Sequence, residues 1–122
     1  MLGHLSFGVA DLDRATAFYD AAMAPIGFVR VWTSVKGVGY GPPGGDDKLA
    51  LFPRPDAAAP GPGFHLAFDA PSREAVDAFH AAALSAGGRD AGPPGPRPHY
   101  GAAYYAAFVL DPDGHKLEAV HQ

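Results

Sequence analysis

The stretch "FHLAFDAPSREAVDAFHAAAL", Phe64 to Leu84, rewrites a pattern that has already appeared as "HLSFGVADLDRATAFYDAAM", His4 to Met23. Laying His4 on His65 without gaps pairs Leu5 with Leu66, Phe7 with Phe68, Phe18 with Phe79 and Gly27 with Gly88. Ala17, Ala21 and Ala22 also meet alanines, but those matches carry little weight in an alanine-rich chain. The offset is 61 positions, half of the 122 residues, so the chain reads as two similar modules.

Each copy opens with strand-like alternation. Leu5, Phe7 and Val9 share one face while His4, Ser6 and Gly8 share the other; Phe64, Leu66 and Phe68 oppose His65, Ala67 and Asp69 in the same way. Both histidines therefore sit on a face of small residues, which can line a cavity. Each strand then enters a helix. Asp11 caps the first, with Leu12, Ala15, Phe18 and Ala22 on its inner stripe; Ser72 caps the second, with Val76, Phe79 and Ala83 inward. Gly27 and Gly87–Gly88 end them. Strands are expected near 28–33, 37–40 and 48–52 in the first copy. In the second, a Gly/Pro-rich loop, Ala91–Gly101, precedes strands near 104–110 and 116–121. "DPDG", Asp111–Gly114, joins the last pair as a tight turn. The order is βαβββ twice. Module one covers about residues 1–55 and module two about 64–122, with "PRPDAAAPGPG", Pro53–Gly63, as a linker that permits exchange of modules between two chains.

Composition narrows the classes. One domain of this length holds a real core. A net charge of -4 without a Lys/Arg run argues against nucleic acid and anionic membranes. The absence of cysteine removes thiolate nucleophiles, disulfides and Cys-based metal sites together. No apolar run approaches membrane-spanning length, and a soluble cytoplasmic protein is expected.

The last strand carries Glu118 on the face of Lys116 and Val120. If the modules curve around one cleft, His4, His65 and Glu118 all face inward. Two imidazoles and a carboxylate form a facial triad for a divalent cation, with positions left open for substrate.

"GHLSFGVADLDRATAFY", "FHLAF" and "YYAAFVLDPDGHKLEAV" resemble the vicinal oxygen chelate superfamily, which includes glyoxalase I, extradiol dioxygenases, fosfomycin-resistance enzymes and bleomycin-resistance proteins. The resemblance covers nearly the whole chain. It implies an α+β fold of paired βαβββ modules forming a cup-shaped sheet, commonly completed as a homodimer. Its metal positions fall on His4, His65 and Glu118. The fourth ligand typical of glyoxalase I falls on Ala50, which cannot ligate, and the tyrosine usual in extradiol dioxygenases falls on Phe108.

On this resemblance the expected function is a metal-dependent lyase or isomerase of the glyoxalase type. Its small-molecule substrate chelates Ni, Zn, Mn or Fe(II) through adjacent oxygens. Metal-bound hydroxide, Glu118, or His99 from the Gly/Pro loop moves the proton. Trp32, Tyr40, Tyr100 and Tyr105 are expected to line the substrate cleft; Tyr104 and Tyr105 alternate faces, and Tyr105 is assigned the inward one. Ligand histidines must be neutral, so metal affinity is expected to fall below about pH 6. The Gly/Pro loop is expected to act as a lid. The alternatives are a metal-free small-molecule binder of the bleomycin-resistance type and a dioxygenase using the same triad.

Overall fold

A computed structural model describes all residues, Met1–Gln122. The repeat becomes two four-stranded sheets. The first contains β1 (Leu5–Val9), β2 (Val29–Ser34), β3 (Gly37–Gly41) and β4 (Leu49–Pro53), in the order β1-β4-β3-β2. The second contains β5 (Leu66–Asp69), β6 (Arg89–Pro96), β7 (Tyr105–Leu110) and β8 (Lys116–His121), in the order β5-β8-β7-β6. The first strand of each module pairs parallel with the last, and the remaining pairs are antiparallel.

Helix α1 (Leu12–Met23) crosses between β1 and β2, and α2 (Arg73–Ser85) between β5 and β6. Both start where a short oxygen-bearing side chain captures a free amide. The Asp11 carboxylate accepts from Arg14 N at 3.0 Å, and the Ser72 hydroxyl accepts from Ala75 N at 3.1 Å. The helices bury the stripes set by their 3.6-residue period, Ala15, Phe18, Tyr19 and Ala22 in α1 and Ala75, Val76, Phe79 and Ala83 in α2. They lie against each other and join both sheets in one apolar cluster that includes Val9, Leu51, Val109 and Leu117. Burying each of the larger side chains contributes about 1.5–3 kcal/mol.

The modules are also bonded at the Asp111–Gly114 turn, where Gly114 takes φ 94° and its amide donates to the Asp111 carbonyl at 2.9 Å. The buried Asp111 carboxylate receives the Tyr19 hydroxyl at 2.6 Å, His115 Nδ1 at 2.9 Å, and the amides of Asp113 and His115 at 2.9 and 2.8 Å. Burial alone would raise its pKa, but the hydrogen bonds from His115 and Tyr19 prevail and hold it below the ordinary carboxylate range. Asp113 reaches across to accept from Ala10 N at 2.9 Å, and the His115 ring stacks on Phe7 with centroids 4.1 Å apart. The turn is thus a polar staple from module two into β1 and α1.

One expected element differs. The Gly/Pro-rich segment is not a free loop from Ala91, because β6 runs from Arg89 to Pro96 along β7, with two register shifts. Its prolines are tolerated because β6 is the outer strand, so missing N–H groups interrupt no inner ladder. Only 97–104 connects β6 to β7. That connection is closed by hydrogen bonds from Arg97 N to Tyr104 O and from Tyr100 N to Arg97 O, 2.8 and 2.9 Å, which corrects the expectation of a long lid beginning at Ala91.

Candidate functional site

The face of the second sheet opposite the helices brings together His65, Tyr104 and Glu118. Ala67 pairs with Glu118 and Phe108 with Glu118 in the ladder, so His65, Glu118 and Phe108 share this face. Here His65 Nε2 lies 3.0 Å from Glu118 Oε1, and the Tyr104 hydroxyl donates to Glu118 Oε2 at 2.5 Å. Glu118 is only 1% exposed, whereas the His65 side chain is 45% exposed. The carboxylate is therefore a buried group with an accessible imidazole at its mouth. Burial and the bond to Glu118 push the Tyr104 phenol up to about 12, so it stays a donor at neutral pH. Lys116 Nζ and the Arg97 guanidinium stand 5.0 and 5.8 Å from the Phe108 ring centre, placing two cations beside the carboxylate's neighbour.

The other sequence-derived candidates divide. The His99 ring lies 4.2 Å from that of Tyr100, which lies 5.1 Å from Tyr104, so an aromatic row leads outward from Glu118. Tyr100 is 60% exposed. Tyr40 is not a cleft residue. It is fully buried on the helix side of β3, with its hydroxyl donating to Asp20 Oδ1 at 2.9 Å, because its strand parity points it into the core. Tyr105 is corrected likewise, since its hydroxyl donates to Asp77 on α2 at 2.7 Å and Arg73 covers its ring. Tyr104 is the inward residue of the pair; counting back by two from Phe108 along the strand finds it. Trp32 belongs to the first sheet, packed on Gly39 and facing Phe52 at 6.1 Å.

His4 precedes β1 and is exposed. No three His, Asp or Glu side chains of the single chain gather as a metal-binding group. His4 lines a cavity with Leu66, Ala67 and Asp69 of the second sheet. The chain thus joins His65 to Glu118 without a third donor gathered at the pair.

The family model described as Glyoxalase/Bleomycin resistance protein/Dioxygenase superfamily matches residues 1–119. The chain belongs to this superfamily. A glyoxalase/bleomycin resistance protein from Albidiferax ferrireducens T118 is 35% identical, with a TM-score of 0.85, over 100% of this chain and 98% of that one. A glyoxalase-related enzyme from Fulvimarina pelagi is 22% identical (TM-score 0.77), covering 100% of this chain and 88% of that one. The fosfomycin resistance protein FosX from Listeria monocytogenes shares the fold at 20% identity, TM-score 0.73, covering 100% and 93%. No curated protein matches the chain.

Superfamily members often use divalent metals, and the donors present suit such an ion in part. An imidazole nitrogen and a carboxylate oxygen at 3.0 Å are compatible ligands for one borderline-hard cation. The second oxygen of Glu118 is engaged by Tyr104, the kind of outer support that orients a ligating carboxylate. In the first sheet, Ala50 pairs with Ser6 as Glu118 pairs with Ala67, so that module offers no carboxylate at the equivalent place. No helix is long and apolar enough to cross a membrane.

Proposed function

We propose that this superfamily member is a metal-dependent enzyme of the glyoxalase type, a lyase or isomerase acting on a small molecule with adjacent oxygens. The observation that carries this is the approach of His65 Nε2 to the buried Glu118 carboxylate, itself anchored by Tyr104. His65 and Glu118 would hold the ion with His4 of a second copy, since no third donor of the single chain gathers with them; the linker after Pro53 allows halves to exchange. When bound, the cation would supply Lewis-acid polarisation of two neighbouring substrate oxygens. Tyr104 keeps Glu118 Oε2 occupied and leaves Oε1 to the site. Tyr100 and His99 extend the wall along which a substrate lies, and His99 can take or return a proton at its outer end. Ala50 in place of a second carboxylate separates this chain from the four-ligand pattern of glyoxalase I.

A metal-free binding role is the second reading, favoured by the absence of a third donor within the chain. Metal analysis of protein purified without added metal distinguishes them, run beside His65→Ala and His4→Ala with solution mass measured in parallel. Near-stoichiometric metal in a dimer, lost in both variants, supports the enzyme. Equal, negligible metal in all three proteins rejects it, and a monomer that retains metal rejects the shared site.

A further inference from the structure

The cavity in front of His65 carries a positive charge that metal chelation by itself does not use. About 360 Å³ in volume, it is lined by Phe64, His65, Leu110 and Lys116 together with linker residues 61–63 and Gly114. That size lies within the range of small-molecule sites, and no Asp or Glu lines it. Lys116 is half-buried, and its ammonium makes no hydrogen bond or ion pair with the chain. The carboxylates nearest in sequence are engaged elsewhere: Asp111 with Tyr19 and His115, Asp113 with Ala10 and Arg14, Glu118 with His65 and Tyr104. What holds Lys116 Nζ is the Phe108 ring, with 5.0 Å to its centre, and the same ring meets the His65 imidazole edge-on at 5.6 Å. One aromatic ring therefore sets both the free ammonium and the histidine.

Arg97 adds a second, rigidly placed charge. Its guanidinium is half-buried and donates to the Pro93 and Gly95 carbonyls at 2.8 and 2.9 Å, with 5.8 Å to the Phe108 ring centre. A Cβ at either Gly92 or Gly95 would stand 3.4 Å from it, so these glycines let the group lie against β6. Carbonyl acceptors orient a guanidinium without neutralising it, and no carboxylate pairs with Arg97. Because β7 lies between β8 and β6, Lys116 and Arg97 reach Phe108 from opposite neighbouring strands. The single negative charge among these groups is Glu118, which is 1% exposed and already bonded at both oxygens. A substrate offering only two neutral chelating oxygens would leave both cations idle.

We propose, resting on the reading of His65 and Glu118 as the reaction site, that the substrate is a small acid whose anionic group is separate from its two chelating oxygens. Lys116 Nζ receives that group in the cavity, and Arg97 strengthens the positive field across the Phe108 ring. The probes are 2-oxoglutarate and 2-oxopentanoate, which share the 2-oxo acid head and chain length; only the former ends in a second carboxylate. Each is titrated into the ¹⁵N-labelled full chain, once loaded with Zn²⁺ and once in EDTA, following the amides of His65, Phe108, Leu110 and Lys116. In both conditions 2-oxoglutarate should bind about tenfold or more tightly than 2-oxopentanoate. Lys116→Gln should bring that ratio to about two or less, Lys116→Arg should keep it, and Arg97→Gln should narrow it about threefold. A ratio near one in the unmodified protein, a ratio unchanged by Lys116→Gln, or no saturable shift with either acid would overturn the proposal. The metal reading is judged on a different quantity, the tightening of both acids by Zn²⁺. Absence of that tightening with the ratio intact sinks the metal reading and leaves the anion subsite standing.

Discussion

Replacing Tyr19 by phenylalanine removes one oxygen from the joint between the modules and leaves the ring that packs there. The hydroxyl donates to Asp111 Oδ2 at 2.6 Å, and both residues are essentially without solvent. A hydrogen bond to a charged group contributes about 1.5–3 kcal/mol. Asp111 keeps three donors, His115 Nδ1 and two amides, so the carboxylate is not orphaned. The expected loss is therefore about 2 kcal/mol, or roughly 6–10 °C in Tm for a domain of this length. Urea unfolding at pH 7 and fixed protein concentration measures it. The sign with pH follows from Asp111, whose folded pKa is depressed because hydrogen bonds from His115 and Tyr19 outweigh the effect of burial. A depressed carboxylate stabilises the fold fully above its unfolded pKa and loses that contribution as pH falls through its folded pKa. The difference between wild type and Tyr19→Phe should thus be complete at neutral pH and shrink below about pH 4. A loss under about 0.5 kcal/mol at pH 7, or one that stays constant through the acid range, would refute the charged-acceptor account.

Three further changes probe other parts of the chain. Gly39→Ala places a methyl on the Trp32 indole, so the indole must leave the sheet; red-shifted tryptophan emission and a loss of about 1–3 kcal/mol are expected, and an unshifted spectrum would contradict the packing. Ser72→Ala deletes the bond that the hydroxyl accepts from Ala75 N and should cost about 1 kcal/mol in urea unfolding, with Ser72→Gly losing less. Tyr104→Phe removes the donor from Glu118 Oε2, should cost about 1–3 kcal/mol in urea unfolding and, under the proposed metal function, should lower metal affinity by about 10–100-fold in competition with a chelating dye.

Most of the fold was legible because it was written twice. The period-two strands, the capped helices with Phe18 and Phe79 inward and the turn at Asp111 all followed from local chemistry. Strand β6 was not legible. Proline and glycine signal loops unless the strand is known to be outermost, and edge position is a property of the assembled sheet. The site was half legible. Alternation put His65 and Glu118 on one face, but the parity of Tyr40 and Tyr105 depends on where each strand enters its ladder. The register shift between Arg30 and Trp32 shows how easily such counting slips.

The two halves also solve one packing problem in opposite ways, and this bears on where chemistry can occur. In the first sheet Trp32 on β2 lies over Gly39 on β3, and the equivalent of Glu118 is Ala50, 3% exposed. In the second, glycine and aromatic trade strands. Gly92 on β6 pairs with Phe108 on β7, and a Cβ at Gly92 would meet the Phe108 ring at 3.2 Å. The carboxylate beside Phe108 is then screened by its ring, His65 and Tyr104. An indole needs no counter-charge, but a buried carboxylate needs donors on both oxygens, and Glu118 has them only while His65 or a cation faces Oε1. The repeat therefore has apolar filling in one sheet and a paired histidine and carboxylate in the other.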